Sequence, residues 1–468
     1  MSKKIHTSRM LRVASMTGAA GGVAMRMATS RAMNGVGGAG SAESRKAAAT
    51  RQQLAAARQL VSILGGMRGA AMKVGQSLST VDMGLVPEEI RPEFQAILAE
   101  LQHSAEPAPF KQVKRIIESD LGQSLDDAFA SFEQRPIAAA SIGQVHKAVL
   151  HDGRTVAVKV QYPGIAEAIE SDMKNLALGL KLLKTIVPGI DTAAIADEIR
   201  ERIYEELDYE LEAQNQRTLA RLYRGHPFVV VPEVMTRLCG RRVLVTEFIE
   251  GRRFEEIVDL PAAERDRIAE ILVRFYLNGP VRHRLLNGDP HPGNTLFLAD
   301  GRVAFLDFGF AKKLPDAEVA QLVESTIATH AGDPDALLEV VAQAGALPQN
   351  PALAPLLFES YNAVFGWLMV DEPLTIESAK TAEMMSVYTQ LRNADGFEDL
   401  VLPAEHFVLL RAVMLVLGVL GQLEATNPWL DIAGEWVFGD EPKTELGRLE
   451  ATFFEGRPYA VPAGVGGR

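Results

Sequence analysis

The sequence predicts an α+β protein of two lobes, and three stretches carry that reading. The first is Thr155-Val-Ala-Val-Lys-Val160, an alternating β-branched run. Ile137 to Leu150 and the turn His151-Asp152-Gly153 precede it, and together they read as a β-hairpin. The second is helical periodicity over most of the chain after Leu314, in segments 316–330, 334–344, 353–369, 375–391 and 406–423. The third is Asn287-Gly-Asp-Pro-His-Pro-Gly-Asn294 followed, after the short apolar strand 303–306, by Asp307-Phe-Gly309.

The third stretch carries chemistry. Asp289 and Asn294 stand at the interval of the Asp and Asn in a protein-kinase catalytic loop, and Asp-Phe-Gly is the companion motif. Phosphoryl transfer from ATP asks the protein for little covalent help but much charge neutralisation, so carboxylate and amide oxygens must hold Mg2+ against the phosphates. Asp307 and Asn294 are the right hard ligands, and Asp289 is placed to meet the attacking oxygen. Val156-Ala-Val-Lys159 matches the kinase strand whose lysine reaches the ATP phosphates, although a lysine in an apolar strand could also face outward on an edge. The loop before it is Ala138-Ala-Ala-Ser141 where ordinary kinases have G-x-G-x-x-G. Alanine does not reach positive φ cheaply, so this nucleotide-covering loop is expected to be stiffer.

A helix expected over about 193–223 carries Glu205-Glu-Leu-Asp-Tyr-Glu-Leu-Glu212. Asp208 and Glu212, four apart, share a face of a regular helix. Glu206 lies about 200° round the axis from Asp208, so one cation reaches both only sideways or across an irregular turn. Glu212 is the expected carboxylate partner of Lys159. Segments 228–231 and 242–249 read as further strands, and Glu247-Phe-Ile249 resembles the hinge whose backbone groups hydrogen-bond adenine. Helices return over 262–277.

Composition narrows the setting. A hydrophobic share of 47% and a charged share of 23% are those of a soluble globular protein. The single cysteine, Cys239, excludes an internal disulfide and fits a reducing cytoplasm. The longest apolar candidate, 408–423, contains Arg411 and reads as a buried helix rather than a membrane span. Residues 1–60 hold ten Lys or Arg against one acid, on a chain whose net charge is −12. A basic start on an acidic body points to an anionic surface, or to the body itself, as its partner, and the bulk charge argues against nucleic acid. Residues 8–32 read equally as a segment resting on a membrane or as a loosely docked arm, and 34–44 as a linker. Trp367, Trp429 and Trp436 are expected in the core, and a P-loop is excluded because no Gly-Lys dipeptide occurs.

Taken together, Lys73-Val-Gly-Gln76, Ala138-Ala-Ala-Ser-Ile-Gly-Gln144, Lys159 with Gln161-Tyr-Pro-Gly164, Glu206-Leu-Asp208, Asp289-Pro-His-Pro-Gly-Asn294 and Asp307-Phe-Gly309 resemble the UbiB (AarF-type) family of atypical protein-kinase-like proteins. The resemblance spans about residues 45–430. It implies a two-lobed kinase-like fold with an N-terminal helical extension over the site and a helical C-terminal domain. It implies that Lys73 faces Glu206 or Asp208, covering the groove where a peptide would dock. It also implies an ATPase or small-molecule kinase that acts at membranes and supports ubiquinone or related isoprenoid-quinone biosynthesis, with a lipid or quinone precursor and quinone-biosynthesis proteins as partners. Two departures stand out: Asn287-Gly288 replaces the family's usual His-Ala, and the C-terminal spanning helices of some members are missing.

The resulting expectation is a basic arm (1–44), a helical extension (45–132), an N-lobe (133–250), a helical C-lobe (251–440) and a tail (441–468) that is flexible from Pro458. The expected activity is Mg-dependent ATP binding with slow hydrolysis or phosphoryl transfer, in the cytoplasm or peripherally at the inner face of a membrane. A protein serine/threonine kinase and a nucleotide-gated lipid-binding scaffold are the competing readings.

Overall fold

The computed structural model describes residues 107–173, 200, 204–345, 347, 349–378 and 404–457. Lys73, the basic arm, most of the extension, most of segment 375–391 and the residues from Pro458 onward lie outside them. The chain divides into two compact units, Met1–Glu106 with Tyr162–Ile203, and Pro107–Gln161 with Tyr204–Arg468. The architecture below is that of the second unit.

Its N-terminal part is a twisted antiparallel sheet under one helix. Helix α1 (Phe110–Leu121) ends at Gly122, whose φ of 66° is the left-handed cap that glycine adopts most readily. Strands β1 (Ser131–Phe132), β2 (Ala138–Ala139), β3 (Gly143–Val149), β4 (Thr155–Gln161) and β6 (Val243–Glu247) follow, in spatial order β1-β3-β4-β6 with β2 on the edge of β3. The two-residue side-chain period decides what β4 does. Val156, Val158 and Val160 all point to one face, where they are fully buried against Val113 and Ile117 of α1. Ala157 and Lys159 therefore point to the other face. The expected hairpin is present, and the outward edge position for Lys159 is ruled out because β6 pairs with β4 on its far side.

The helix expected over about 193–223 is interrupted: residues 200 and 204–206 are helical, and after a break at 207–208 helix α2 (Tyr209–Leu222) begins. Asp208 is its N-cap, with φ −119° and ψ 91°, and its side chain accepts a hydrogen bond from the Glu210 N–H. Asp208 and Glu212 thus do not share a regular helical face, and the break supplies the irregular turn between Glu206 and Asp208. The strand expected at 228–231 is the two-residue β5 (Val229–Val230).

In the helical part, α3 (Ala262–Val273) runs into a π-turn, Arg274–Asn278, and then into α4 (Gly279–His283). The wider π-turn sends consecutive side chains to different tasks. Arg274 enters a buried polar cluster, whereas Phe275 stacks on Phe305 with ring centroids 3.6 Å apart. Strands β7 (Leu285–Asn287), β8 (Thr295–Phe297), β9 (Val303–Phe305) and β10 (Ala311–Lys313) form two small sheets that frame the loop 288–294. Helices α5 (Asp316–His330), α6 (Pro334–Gln343), α7 (Ala354–Phe365) and α8 (Ala404–Leu423) follow the expected pattern, with α7 ending in a 3-10 turn. Leu374–Thr375 is a short strand paired with Thr426–Asn427. Two further helices, α9 (Trp429–Val437) and α10 (Glu445–Phe454), were not anticipated, the latter within the stretch expected as a tail. The three tryptophans are buried, with Trp367 and Trp429 edge to face. Among the described residues no helix is long and apolar enough to cross a membrane.

Helix α10 completes a buried polar core. The Arg274 guanidinium, with no exposed side-chain surface, donates to Glu270, Glu435, Glu450 and the Thr444 hydroxyl at 2.7–3.0 Å. Beside it His226 is enclosed by Phe228, Phe453 and Phe454. Its Nδ1 accepts from the backbone N–H groups of Phe228 and Val229, so the proton sits on Nε2. Burial, reinforced by Arg282, pushes the pKa values of both His226 and His283 down to about 3. Unfolded imidazoles take up protons as pH falls through about 6.5 while the folded ones stay neutral, so stability is lost as pH drops below that value. The urea midpoint is expected to fall between pH 7 and pH 5. His226→Asn, whose Oδ1 accepts the same N–H groups without titrating, should flatten the fall. Equal falls for the wild-type protein and His226→Asn would contradict the neutral His226 imidazole, since Glu212, raised to about 7 and gaining stability as pH falls, is common to both.

Candidate active site

Lys159 leaves the face of β4 opposite Val156, Val158 and Val160 and meets helix α2. Its Nζ donates to Glu212 Oε1 at 2.7 Å and Oε2 at 2.9 Å, and lies 3.5 Å from Asp307 Oδ2. Burial works against the Lys159 ammonium, but the Asp307 and Glu212 carboxylates more than reverse it, and the lysine is held charged well above its ordinary range. Burial raises Glu212 to about 7 against the pull of Lys159, with the charges of Asp307 and Glu206 adding to the rise.

The loop from β7 to β8 carries the other groups. Asp289 is buried, and the Asn294 side-chain amide donates to its carboxylate and to its backbone carbonyl, each at 3.4 Å. Asn287, where the family pattern departs, ties the two motifs together. Its Nδ2 donates to the Asp307 carbonyl at 3.0 Å, and its Oδ1 accepts from the Asp289 N–H at 3.3 Å. The Asp307 carboxylate is oriented in turn by the Gly309 N–H at 3.0 Å. The fold therefore brings Lys159, Glu212, Asp289, Asn294 and Asp307 into one connected site.

Glu206 precedes the α2 cap, close enough for its charge to raise Glu212 and Tyr209. The Asp208 carboxylate is engaged with the Glu210 N–H and lies 3.5 Å from Arg241. Lys73, their expected partner, lies outside the described residues. The alanine-rich loop is a tight hairpin: Ala138 and Ala139 pair with Val145 and Gln144, and Ala140 and Gly143 exchange backbone hydrogen bonds at 2.8 and 3.4 Å. Ser141 and Ile142 turn the chain without positive φ, so the turn needs no glycine at its tip. Glu247 ends β6 with its N–H donated to the Glu233 carbonyl, Phe248 donates to Thr155, and Ile249 follows half-buried.

Two contributors were not foreseen. Asn215, one turn beyond Glu212, donates its side-chain amide to the Phe308 carbonyl at 3.1 Å and fastens α2 to the Asp-Phe-Gly segment. Tyr209 places its ring 5.1 Å from the Lys159 ammonium. Asn215 stands at i+3 from Glu212, a spacing that puts it on the same face and could have flagged it.

Comparisons with known proteins identify the family. Residues 100–341 match the model of the ABC1 atypical kinase-like domain. The chain is similar to the mitochondrial atypical kinase COQ8B of Danio rerio, 32% identical over 71% of this chain and 53% of that protein. It is also 36% identical to mitochondrial atypical kinase coq-8 of Caenorhabditis elegans, over 62% of this chain and 39% of that protein. The chain thus spans about half the length or less of these curated relatives. Among solved structures, the complex of Rv3197 with erythromycin from Mycobacterium tuberculosis is 33% identical, with a TM-score of 0.61 over 84% of this chain and 98% of that one. With a kinase-like α+β fold and more than half its length within the domain match, the chain belongs to the UbiB/AarF family of atypical kinases.

Proposed function

We propose that this protein binds Mg·ATP and turns it over slowly, by hydrolysis or by phosphoryl transfer to a small molecule, in support of ubiquinone or related isoprenoid-quinone metabolism. The observation that carries the nucleotide reading is Lys159 held charged between Glu212 and Asp307, with Asp289 and Asn294 on the adjoining loop. The donor set suits magnesium. Asp307 and Asn294 offer hard oxygens, and no group of three or more candidate side chains occurs among the described residues to make a protein-only cage. That matches an ion that keeps waters and substrate phosphates in its shell. When bound, Mg·ATP supplies the transferable phosphoryl group and the cation that neutralises it. On this reading Lys159 holds phosphate oxygens, Glu212 keeps Lys159 in place, and Asp307 and Asn294 hold the metal. Asp289 takes the proton of the attacking water or hydroxyl. The backbone from Glu247 to Ile249 receives adenine, and Ala138 to Ser141 covers the phosphates. The pairing of Lys73 with Glu206 or Asp208 rests on the family resemblance alone. The quinone setting and the peripheral membrane contact rest on the family resemblance and on the basic first sixty residues.

The test is Asp289→Asn. It should keep ATP affinity within a few-fold and lower turnover by about 10²-fold or more, because the amide cannot take the proton. Wild-type turnover by this variant would remove Asp289 from the chemistry. Normal quinone levels in cells carrying a variant without turnover would favour a scaffold.

A further inference from the structure

None of these roles uses Tyr209, yet it stands among the groups that perform them. It is the first residue of α2, three before Glu212, with only 1% of its surface exposed. Its ring lies against the Lys159 ammonium at 5.1 Å. Its hydroxyl is buried and meets no hydrogen-bond partner among the described residues. Gly143 shows where that hydroxyl points. A Cβ on Gly143 would sit 2.8 Å from Tyr209 Oη and nearer still to the Val160 carbonyl oxygen, so the hydroxyl lies against the backbone at the base of the alanine-rich turn. This close approach, rather than a special φ, is why the turn closes on glycine.

A buried donor without an acceptor destabilises the arrangement that encloses it, and a phenylalanine ring would fill the same space without that cost. The hydroxyl therefore contributes nothing to the nucleotide-free packing, and its acceptor belongs to another state. The surroundings define the acceptor. A hydroxyl donor beside an ammonium attracts an anion with free lone pairs, and the groups adjoining it are the lysine and the turn assigned to phosphate. The turn is held by the Ala140–Gly143 bonds, the Ile137 N–H on the Val145 carbonyl, a two-residue strand and the buried Ile142 side chain, so lifting it means exposing Ile142. Resting on the nucleotide reading above, we propose that Tyr209 is a phosphate-binding residue: as nucleotide enters, the alanine-rich turn lifts and the Tyr209 hydroxyl donates to a phosphoryl oxygen that Lys159 also holds.

The experiment is calorimetric binding of Mg·ATP, Mg·ADP and adenosine to the wild-type protein and to Tyr209→Phe, together with thermal unfolding of both without nucleotide. The expected result is an unchanged or higher unfolding temperature for the variant, about tenfold weaker binding of Mg·ATP and Mg·ADP, and unchanged binding of adenosine. Unchanged Mg·ATP affinity would overturn the proposal, as would an equal loss for adenosine, which would mean a reshaped pocket. A clear fall in nucleotide-free unfolding temperature would also overturn it, since the hydroxyl would then be engaged already. A wild-type protein that binds neither ATP nor ADP would overturn the nucleotide reading itself, and this proposal with it.

Discussion

Asp307→Asn is expected to lower Mg-dependent ATP turnover by about 10²-fold or more. The substitution keeps the shape of the side chain and removes its charge from beside Lys159, 3.5 Å away. It also disturbs orientation, because the oxygen that now accepts the Gly309 N–H must be kept on that side by an amide with one oxygen instead of two. Lys159 retains Glu212, so the lobe around β4 and α2 should stay folded and some nucleotide affinity should survive. Phosphate release by purified protein at saturating magnesium measures the effect. A rate equal to the wild type's would mean that the Asp-Phe-Gly segment is not the metal site.

Arg274→Met should be among the most damaging substitutions for stability. One guanidinium faces the carboxylates of Glu270, Glu435 and Glu450, each at most 8% exposed. Methionine fills much of the space but leaves those carboxylates without their main counter-charge. Breaking a buried charge cluster from one side costs about 3–5 kcal/mol. Arg274→Lys should recover only part of that, because an ammonium has three donors and no planar fork to match several carboxylates at once. Urea unfolding followed by circular dichroism reads the difference. A loss of less than about 1 kcal/mol for the methionine variant would show that the cluster contributes little net stability.

The parts of the site legible in the sequence are those fixed by short spacing. Asp289 and Asn294 lie on one loop, Asp307 and Gly309 on one turn, and Lys159 on a strand whose alternation fixes its face. Glu212 was legible because a buried lysine needs a carboxylate. The start of α2 was not, since an acidic run reads as continuous helix until Asp208 is seen to cap it. Asn287 gave no sign of joining two motifs, because the carbonyl it binds is 20 residues away. Helices α9 and α10 escaped for a related reason. Glu435 and Glu450 look like solvent-facing charges, and only the distant Arg274 makes them interior residues. The Tyr209 hydroxyl is the extreme case, because its interest lies in the partner it lacks.

The Arg274 cluster also imposes an order of events on the ribosome. The carboxylates of Glu435 and Glu450 follow this arginine by 161 and 176 residues. At about 5–20 residues per second, translation leaves the guanidinium waiting roughly 10–35 s for them. During that interval the π-turn cannot close its polar core, and Phe275 and Tyr276 beside it have no fixed frame in which to hold the strand that leads to Asp307. The nascent chain can thus carry the Asp289–Asn294 and Asp307–Gly309 motifs while the lobe that frames them is unfinished, until α10, the last helix among the described residues, has emerged.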